Sequence, residues 1–223
     1  MSEFVVAVVK QEFESHSSRM KMYLDDLAQI VNESGDALEG NAFYYHTTLK
    51  LFPALYNKQV NLFWCGKQAT TKICEIGLNA GHSSMLMLLG RDSSPLDYTI
   101  FDIGEHRYTR PSLTYLERKF QHIKFEYIEG DSTVTMPNWI KNNQSCLESY
   151  DVVHVDGGHS EHCISNDIKN ANLLVKKGGL IIIDDTHLHH INAWAHNFVS
   201  SGNYRFVYLL PSHGYTHSAI QKI

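Results

Sequence analysis

Residues 180–187, LIIIDDTH, run four aliphatic side chains into two adjacent acids, Asp184 and Asp185. No polar face interrupts the aliphatic run, so the spacing predicts a strand covered on both sides, with its carboxylates at the C-terminal end. Two other stretches repeat the pattern. Residues 99–105, TIFDIGE, carry Asp102, and residues 152–159, VVHVDGGH, carry Asp156. Buried strands alternating with helical segments specify an α/β domain with a mostly parallel sheet and right-handed crossovers. The rim formed by the strands' carboxyl ends is where such a sheet places ligands and metals.

Working outward, TKICEIG (71–77), DYTIFDI (97–103), IKFEYIEGD (123–131), YDVVHVDG (150–157) and GLIIIDD (179–185) read as five core strands with helices between them. The tail differs. YRFVYLL (204–210) and THSAIQKI (216–223) are strands joined by PSHGY (211–215), a loop too short for a crossover helix, so the spacing predicts an antiparallel pair. At the other end, residues 4–9 read as a short strand or apolar plug, followed by a helix that stops near Ser34 and Gly35. Residues 42–64 read as helices interrupted by Pro53. No Pro-, Gly- or Ser-rich linker follows, so residues 1–69 are expected to form a helical cap integral to a core of residues 70–223.

A chain of 223 residues suits one domain with a full core. The net charge of -5 comes with no basic block, which argues against nucleic acid as a partner. Cys65, Cys74, Cys146 and Cys163 form no CxxC pair, which argues against a structural zinc site or a disulfide framework and for a reducing compartment. The opening MSEFVVAVVK is too short in its apolar run for a signal core or a membrane span. A cytoplasmic protein is expected, and apolar residues exposed on the N-terminal helices would suit a homodimer.

CEIGLNAGHSS (74–84) sets Glu75, Gly77 and Gly81 between a strand and a helix whose first N–H groups, from His82 and Ser83 onward, are free. The G-x-x-x-G spacing lacks the basic residue of a P-loop. Glu75 would repel phosphate and attract an ammonium group, so a zwitterionic or sulfonium ligand fits better than a diphosphate. The plainer alternative is a structural turn. Asp102 stands where nucleotide-binding folds keep a ribose acid, or caps the next turn. Asp131 and Ser132 in EGDS suit an adenine amino group, or a helix N-cap.

Asp156, Asp184 and Asp185 on neighbouring strand ends would repel one another unless a cation or proton joined them. An oxygen-rich set suits Mg²⁺, with Mn²⁺ or Ca²⁺ as competitors; helix capping and solvent exposure are the alternative. His159 follows a pair of glycines and can take a proton from a hydroxyl or bind the metal. His162, His187, His189 and His190 are expected at the surface or in hydrogen bonds. Phe43, Tyr44, Tyr45 and His46 form an aromatic patch that could cover a ligand or pack in the core.

From about Thr70 onward this series of strand-end motifs resembles the class I S-adenosylmethionine-dependent methyltransferases. The resemblance implies a Rossmann-like, seven-stranded, mostly parallel sheet with an antiparallel C-terminal strand and helices on both faces. It also implies S-adenosylmethionine as cofactor, held by Glu75, Gly77, Gly81, His82, Ser83, Asp102, Asp131, Ser132 and Asp156. VDGGHS and IIIDDTH are similar to the metal-dependent branch, which includes catechol, caffeoyl-CoA and macrocin-type sugar O-methyltransferases. There the acids at Asp156, Asp184 and Asp185 hold a divalent ion. Catechol enzymes have asparagine in place of Asp185 and lysine in place of His159, whereas the sugar-modifying relatives have aspartate and histidine. The departure leans toward a small hydroxylated acceptor other than a catechol, with His159 as base. The region also resembles cephalosporin-hydroxylase-like proteins. A metal-independent methyltransferase, a metal-dependent hydrolase or hydroxylase, and a non-catalytic cofactor-binding module are the competing readings.

Overall fold

Alternate residues of the aliphatic runs serve opposite faces of one sheet, which is why no polar face survives in them. Leu180 and Ile182 of LIIIDD pack on one side, and Ile181 and Ile183 on the other. The computed structural model describes residues 3–91, 94–212 and 214–223; residues 1, 2 and 213, part of the opening run and of the PSHGY loop, lie outside the described residues. The strands are β1 (Lys72–Ile76), β2 (Leu96–Asp102), β3 (Ile123–Glu129), β4 (Tyr150–Val155), β5 (Val175–Ile183), β6 (Tyr204–Val207) and β7 (Ser218–Lys222). They form a seven-stranded sheet in the order β3-β2-β1-β4-β5-β7-β6. The first five run parallel, and β7 lies antiparallel between β5 and β6.

Helices α3 (Tyr56–Gln68), α4 (His82–Leu89) and α5 (Thr109–Lys119) cover one face, burying Leu62, Phe63, Met85 and Leu116 against it. Helices α6 (Ser132–Asn142), α7 (Glu161–Leu174) and α8 (His189–Ser200) cover the other with Met136, Ile164, Ile168 and Ile191. Each fully buried aliphatic side chain contributes about 1.5–3 kcal/mol, so the two apolar layers hold the strand ends in place. Among the described residues no helix is long and apolar enough to cross a membrane.

The N-terminal segment departs from its expected form in two places. Residues 4–9 belong to helix α1 (Glu3–Ser15) rather than to a strand, because Val9 and Phe13 lie one turn apart and are both buried. The Phe13 ring meets Phe63 of α3 at 5.5 Å. Helix α2 (Ser17–Ser34) ends where expected, with Gly35 in the left-handed region. Residues 42–52 form no helix. The Asn41 side-chain oxygen accepts from the N–H groups of Phe43 and Tyr44, drawing them out of helical pairing, and Tyr44 bridges to Leu51.

Asp151, at the start of β4, fastens the opposite end of the sheet. Its buried carboxylate accepts from the backbone N–H groups of Thr70, Thr71 and Lys72, at 3.0, 2.6 and 2.8 Å, and pairs with Lys176. Burial opposes its ionisation, but Lys176 and these N–H groups hold the carboxyl well below the usual carboxylate range.

Candidate active site at the strand ends

In the register of the parallel strands Ile76 lies opposite Phe101 and Val155, and Val155 lies opposite Ile183. The next residue of each strand therefore reaches one rim, which gathers Gly77, Asp102, Asp156 and Asp184. The glycine loop is pressed against that rim. Gly77 has φ +91°, and a Cβ there would collide with the carbonyl oxygen of Asp156. Gly81 has φ +78° at the start of α4, where a Cβ would strike the Leu116 side chain. Both conformations belong to glycine.

Asp102 holds this loop in place. One oxygen accepts from Leu78 N at 2.7 Å and Asn79 N at 2.9 Å; the other accepts from Gly104 N at 2.7 Å. A carboxylate offers about four acceptor positions, so few remain for the expected double grip on a ribose. Glu75 is enclosed rather than facing the rim. Its oxygens accept from Ser83 Oγ at 2.6 Å, Tyr98 OH at 2.8 Å and Ser84 Oγ, and His154 Nδ1 lies 3.0 Å away. Neither Glu75 nor His154 has any exposed side-chain surface. In this geometry Glu75 organises the start of α4 from below the rim.

His82 is buried beneath the N-terminal segment, its ring 5.7 Å from that of Phe43 and 5.5 Å from that of Tyr44. Burial lowers its pKa to about 4, which keeps the imidazole neutral. Phe43 and Tyr44 are core residues, whereas Tyr45 remains half exposed. Asp131 caps α6, accepting from Thr133 N at 2.9 Å and Thr133 Oγ1 at 2.7 Å, and Ser132 is the first residue of that helix.

The three acids expected to bind one metal fall into two sets that share Asp156. The outer set is Asp156, His159 and Asp185, and the inner set is His154, Asp156 and Asp184; in each, one ligand atom per residue lies within 4.8 Å of the others. In the outer set His159 Nε2 lies 2.7 Å from Asp185 Oδ2, and that hydrogen bond raises the His159 pKa. Asp185 takes φ +53°, a left-handed conformation that aspartate tolerates better than most residues other than glycine. His187 Nδ1 stands 3.6 Å from the other Asp185 oxygen. Its ring meets Tyr215, whose hydroxyl lies 2.9 Å from His46 Nδ1. His190 Nε2 bonds the carbonyl of His159 at 2.7 Å.

The inner set contains a residue that sequence reasoning passed over. Lys58 of α3 places Nζ 2.6 Å from Asp184 Oδ2, with both side chains buried. Burial opposes the charge on each, but the pairing prevails: the Lys58 pKa is raised and the Asp184 carboxyl is held well below its usual range. Burial and the neighbouring Asp184 push Asp156 upward. The signal for Lys58 was present in the helical stripe. It follows Leu55 by three residues and precedes Leu62 by four, so a cation sits on a core-facing side. His154, a polar residue within the otherwise apolar VVHV run, carried a similar signal.

The arrangement can present an imidazole and carboxylates to a ligand lying over the glycine loop. The sequence profile of a family described as a methyltransferase domain matches residues 74–186, just over half of the chain, from within β1 to just past the acid pair. No curated protein sequence matches. Among solved structures, an O-methyltransferase from Bacillus cereus in complex with S-adenosylhomocysteine is similar, with 15% identity, a TM-score of 0.62, and coverage of 90% of this chain and 91% of that one. The O-methyltransferase TomG from Streptomyces achromogenes, in complex with S-adenosylmethionine, has 14% identity, a TM-score of 0.59, and coverage of 90% and 89%. At these identities the likeness establishes the fold. The family match, the sheet order and the glycine loop together place the chain in the methyltransferase-domain family, as an enzyme built on the class I S-adenosylmethionine-dependent fold.

Proposed function

We propose that this methyltransferase moves the methyl group of S-adenosylmethionine to a hydroxyl oxygen of a small molecule, a sugar or natural-product-like acceptor, with a divalent ion at the rim. The observation that carries the reading is the outer set, Asp156, His159 and Asp185, at the same strand ends as the glycine loop and Asp102. The cofactor bound in the two similar structures supports the choice of ligand.

The residues fit a hard cation. Asp156 and Asp185 offer oxygens at an accessible rim, where Mg²⁺ commonly combines one or two carboxylates with water; Mn²⁺ and Ca²⁺ share that donor preference. When bound, such an ion would lower the pKa of a coordinated hydroxyl. His159, oriented by Asp185, is placed to take the acceptor's proton. Gly77, Gly81 and Ser83 shape the cradle under the cofactor, and Asp102 keeps its backbone in position. Asp131 and Ser132 border the adenine side. The aromatic and imidazole rings of Tyr45, His46, His187 and Tyr215 wall the acceptor side and limit access of water.

Calorimetric titration with S-adenosylmethionine, with and without Mg²⁺, tests the reading. One bound equivalent is expected, with Asp156→Asn leaving that binding within about tenfold while abolishing methyl transfer. Absence of cofactor binding would reject methyl transfer. Turnover that is indifferent to chelators would reject the metal.

A further inference from the structure

The rim holds three aspartates on two adjacent strands, yet its inner half already contains a positive charge. Lys58 Nζ lies 2.6 Å from Asp184 Oδ2, and the two side chains retain 6% and 2% of their exposure. Asp156 and Asp185 also act on the Lys58 charge, so the ammonium serves the whole acid group rather than one partner. A second observation marks this place as built around a cation. His154, with no exposed side-chain surface, belongs to the same set, and its Nε2 has no hydrogen-bond partner among the described residues.

A buried ion pair is costly to desolvate and is a weak route to stability, so its position calls for a reason. An ammonium in hydrogen-bond contact with Asp184 occupies the space a dication would need there. It also repels one by about 4 kcal/mol per unit-charge pair at 4 Å in a medium of intermediate dielectric. In the outer set no ammonium among the described residues touches Asp185, which faces His159 and His187 instead, so the Lys58 charge acts there only at longer range.

We infer that Lys58 is a positioning residue that fills the cation place of the inner set, His154, Asp156 and Asp184, and so confines divalent-ion binding to Asp156 and Asp185 at the outer edge. Asp184, expected from sequence to be a metal ligand, becomes the anchor of Lys58. The inference deepens the proposed function and rests on its reading of the rim as a cation site. It ties the N-terminal segment to the chemistry, since the residue that divides the acids comes from α3.

The test uses Mn²⁺ alone, followed by calorimetry and by electron paramagnetic resonance, with no cofactor or turnover involved. Lys58→Met is expected to gain a second Mn²⁺ per chain or to bind Mn²⁺ at least about tenfold more tightly than wild type. Lys58→Met/Asp184→Asn, which removes the pair as a unit, is expected to match wild type within about tenfold. A smaller gain than this in the single variant without an added site, or a larger loss in the double variant, overturns the inference. Wild type that binds no Mn²⁺ while Lys58→Met binds it removes the metal from the proposed function and leaves the role of Lys58 standing. Should Lys58→Met purify unfolded, recovery of its circular dichroism in millimolar Mn²⁺ supports the inference, and no recovery overturns it.

Discussion

Glu75 on β1 and His154 on β4 are register partners in the centre of the sheet, with Oε1 and Nδ1 3.0 Å apart and neither side chain open to solvent. Through this contact the hydroxyls that fix the start of α4 are joined to the acids of the rim, because Ser83, Ser84 and Tyr98 hold Glu75 while His154 stands beside Asp156 and Asp184. The glycine loop and the acids therefore answer to one buried polar chain.

His154→Phe would leave Glu75 a buried carboxylate without its imidazole partner. A loss of about 3–5 kcal/mol is expected from urea unfolding at neutral pH. Glu75→Leu/His154→Phe should cost less than Glu75→Leu and His154→Phe added together, and a strictly additive cycle would show the pair to be uncoupled.

The two glycines of the loop should not tolerate alanine equally with glycines elsewhere. Gly77 combines φ +91° with a blocked Cβ position, whereas Gly178 has φ +79° and open space around it. Gly178→Ala is expected to cost about 1 kcal/mol from backbone strain alone, and Gly77→Ala at least about 2 kcal/mol, with parallel loss of cofactor binding. Equal urea midpoints for the two variants would contradict the packing described for Gly77.

Two buried aspartates should give pH dependences of opposite sign. Asp151 has a carboxyl held low in the folded state, so its stabilisation is present above the unfolded carboxyl pKa of about 3.9 and fades as pH falls below that value. Asp151→Asn should cost about 2–4 kcal/mol at pH 7, and the difference from wild type should shrink below about pH 4.

Asp167 of α7 is pushed up to about 6 by burial, which outweighs the opposing effect of the neighbouring Ser132 hydroxyl. The folded state therefore keeps this proton longer than the unfolded chain. Its contribution is lost as pH rises from about 4 through 6, and at neutral pH the ionised group is a burden. Asp167→Asn should stabilise the protein by about 2–3 kcal/mol at pH 7.5 and by little at pH 4, as read from unfolding free energies across that range.

His159→Gln should reduce kcat by about 10²–10⁴-fold with any acceptor that supports turnover, while leaving the cofactor affinity nearly unchanged. A variant that loses cofactor binding in step with kcat would place His159 in the cradle instead of in proton transfer.

The aliphatic runs made the sheet legible because each strand had to satisfy two faces at once, and the PSHGY loop made the antiparallel tail legible by its length. The rim acids followed from their place at strand ends. What sequence could not give was partnership. Asp102 faces backbone N–H groups of a loop more than 20 residues earlier, and Lys58 reaches Asp184 from a helix more than 120 residues away. Such pairings depend on where separate elements pack, which periodicity does not encode. Residues 42–52 have a helical apolar spacing, but the Asn41 side chain, by accepting from the N–H groups of Phe43 and Tyr44, draws them out of helical pairing.

The most direct test is a crystal structure with S-adenosylhomocysteine and Mn²⁺, with the ion located by anomalous scattering. The account predicts the adenosyl group over the loop of Gly77 to Gly81 beside Asp102, the Mn²⁺ peak between Asp156 and Asp185, and Lys58 still against Asp184. An adenosyl group bound away from that loop would contradict the methyltransferase site itself.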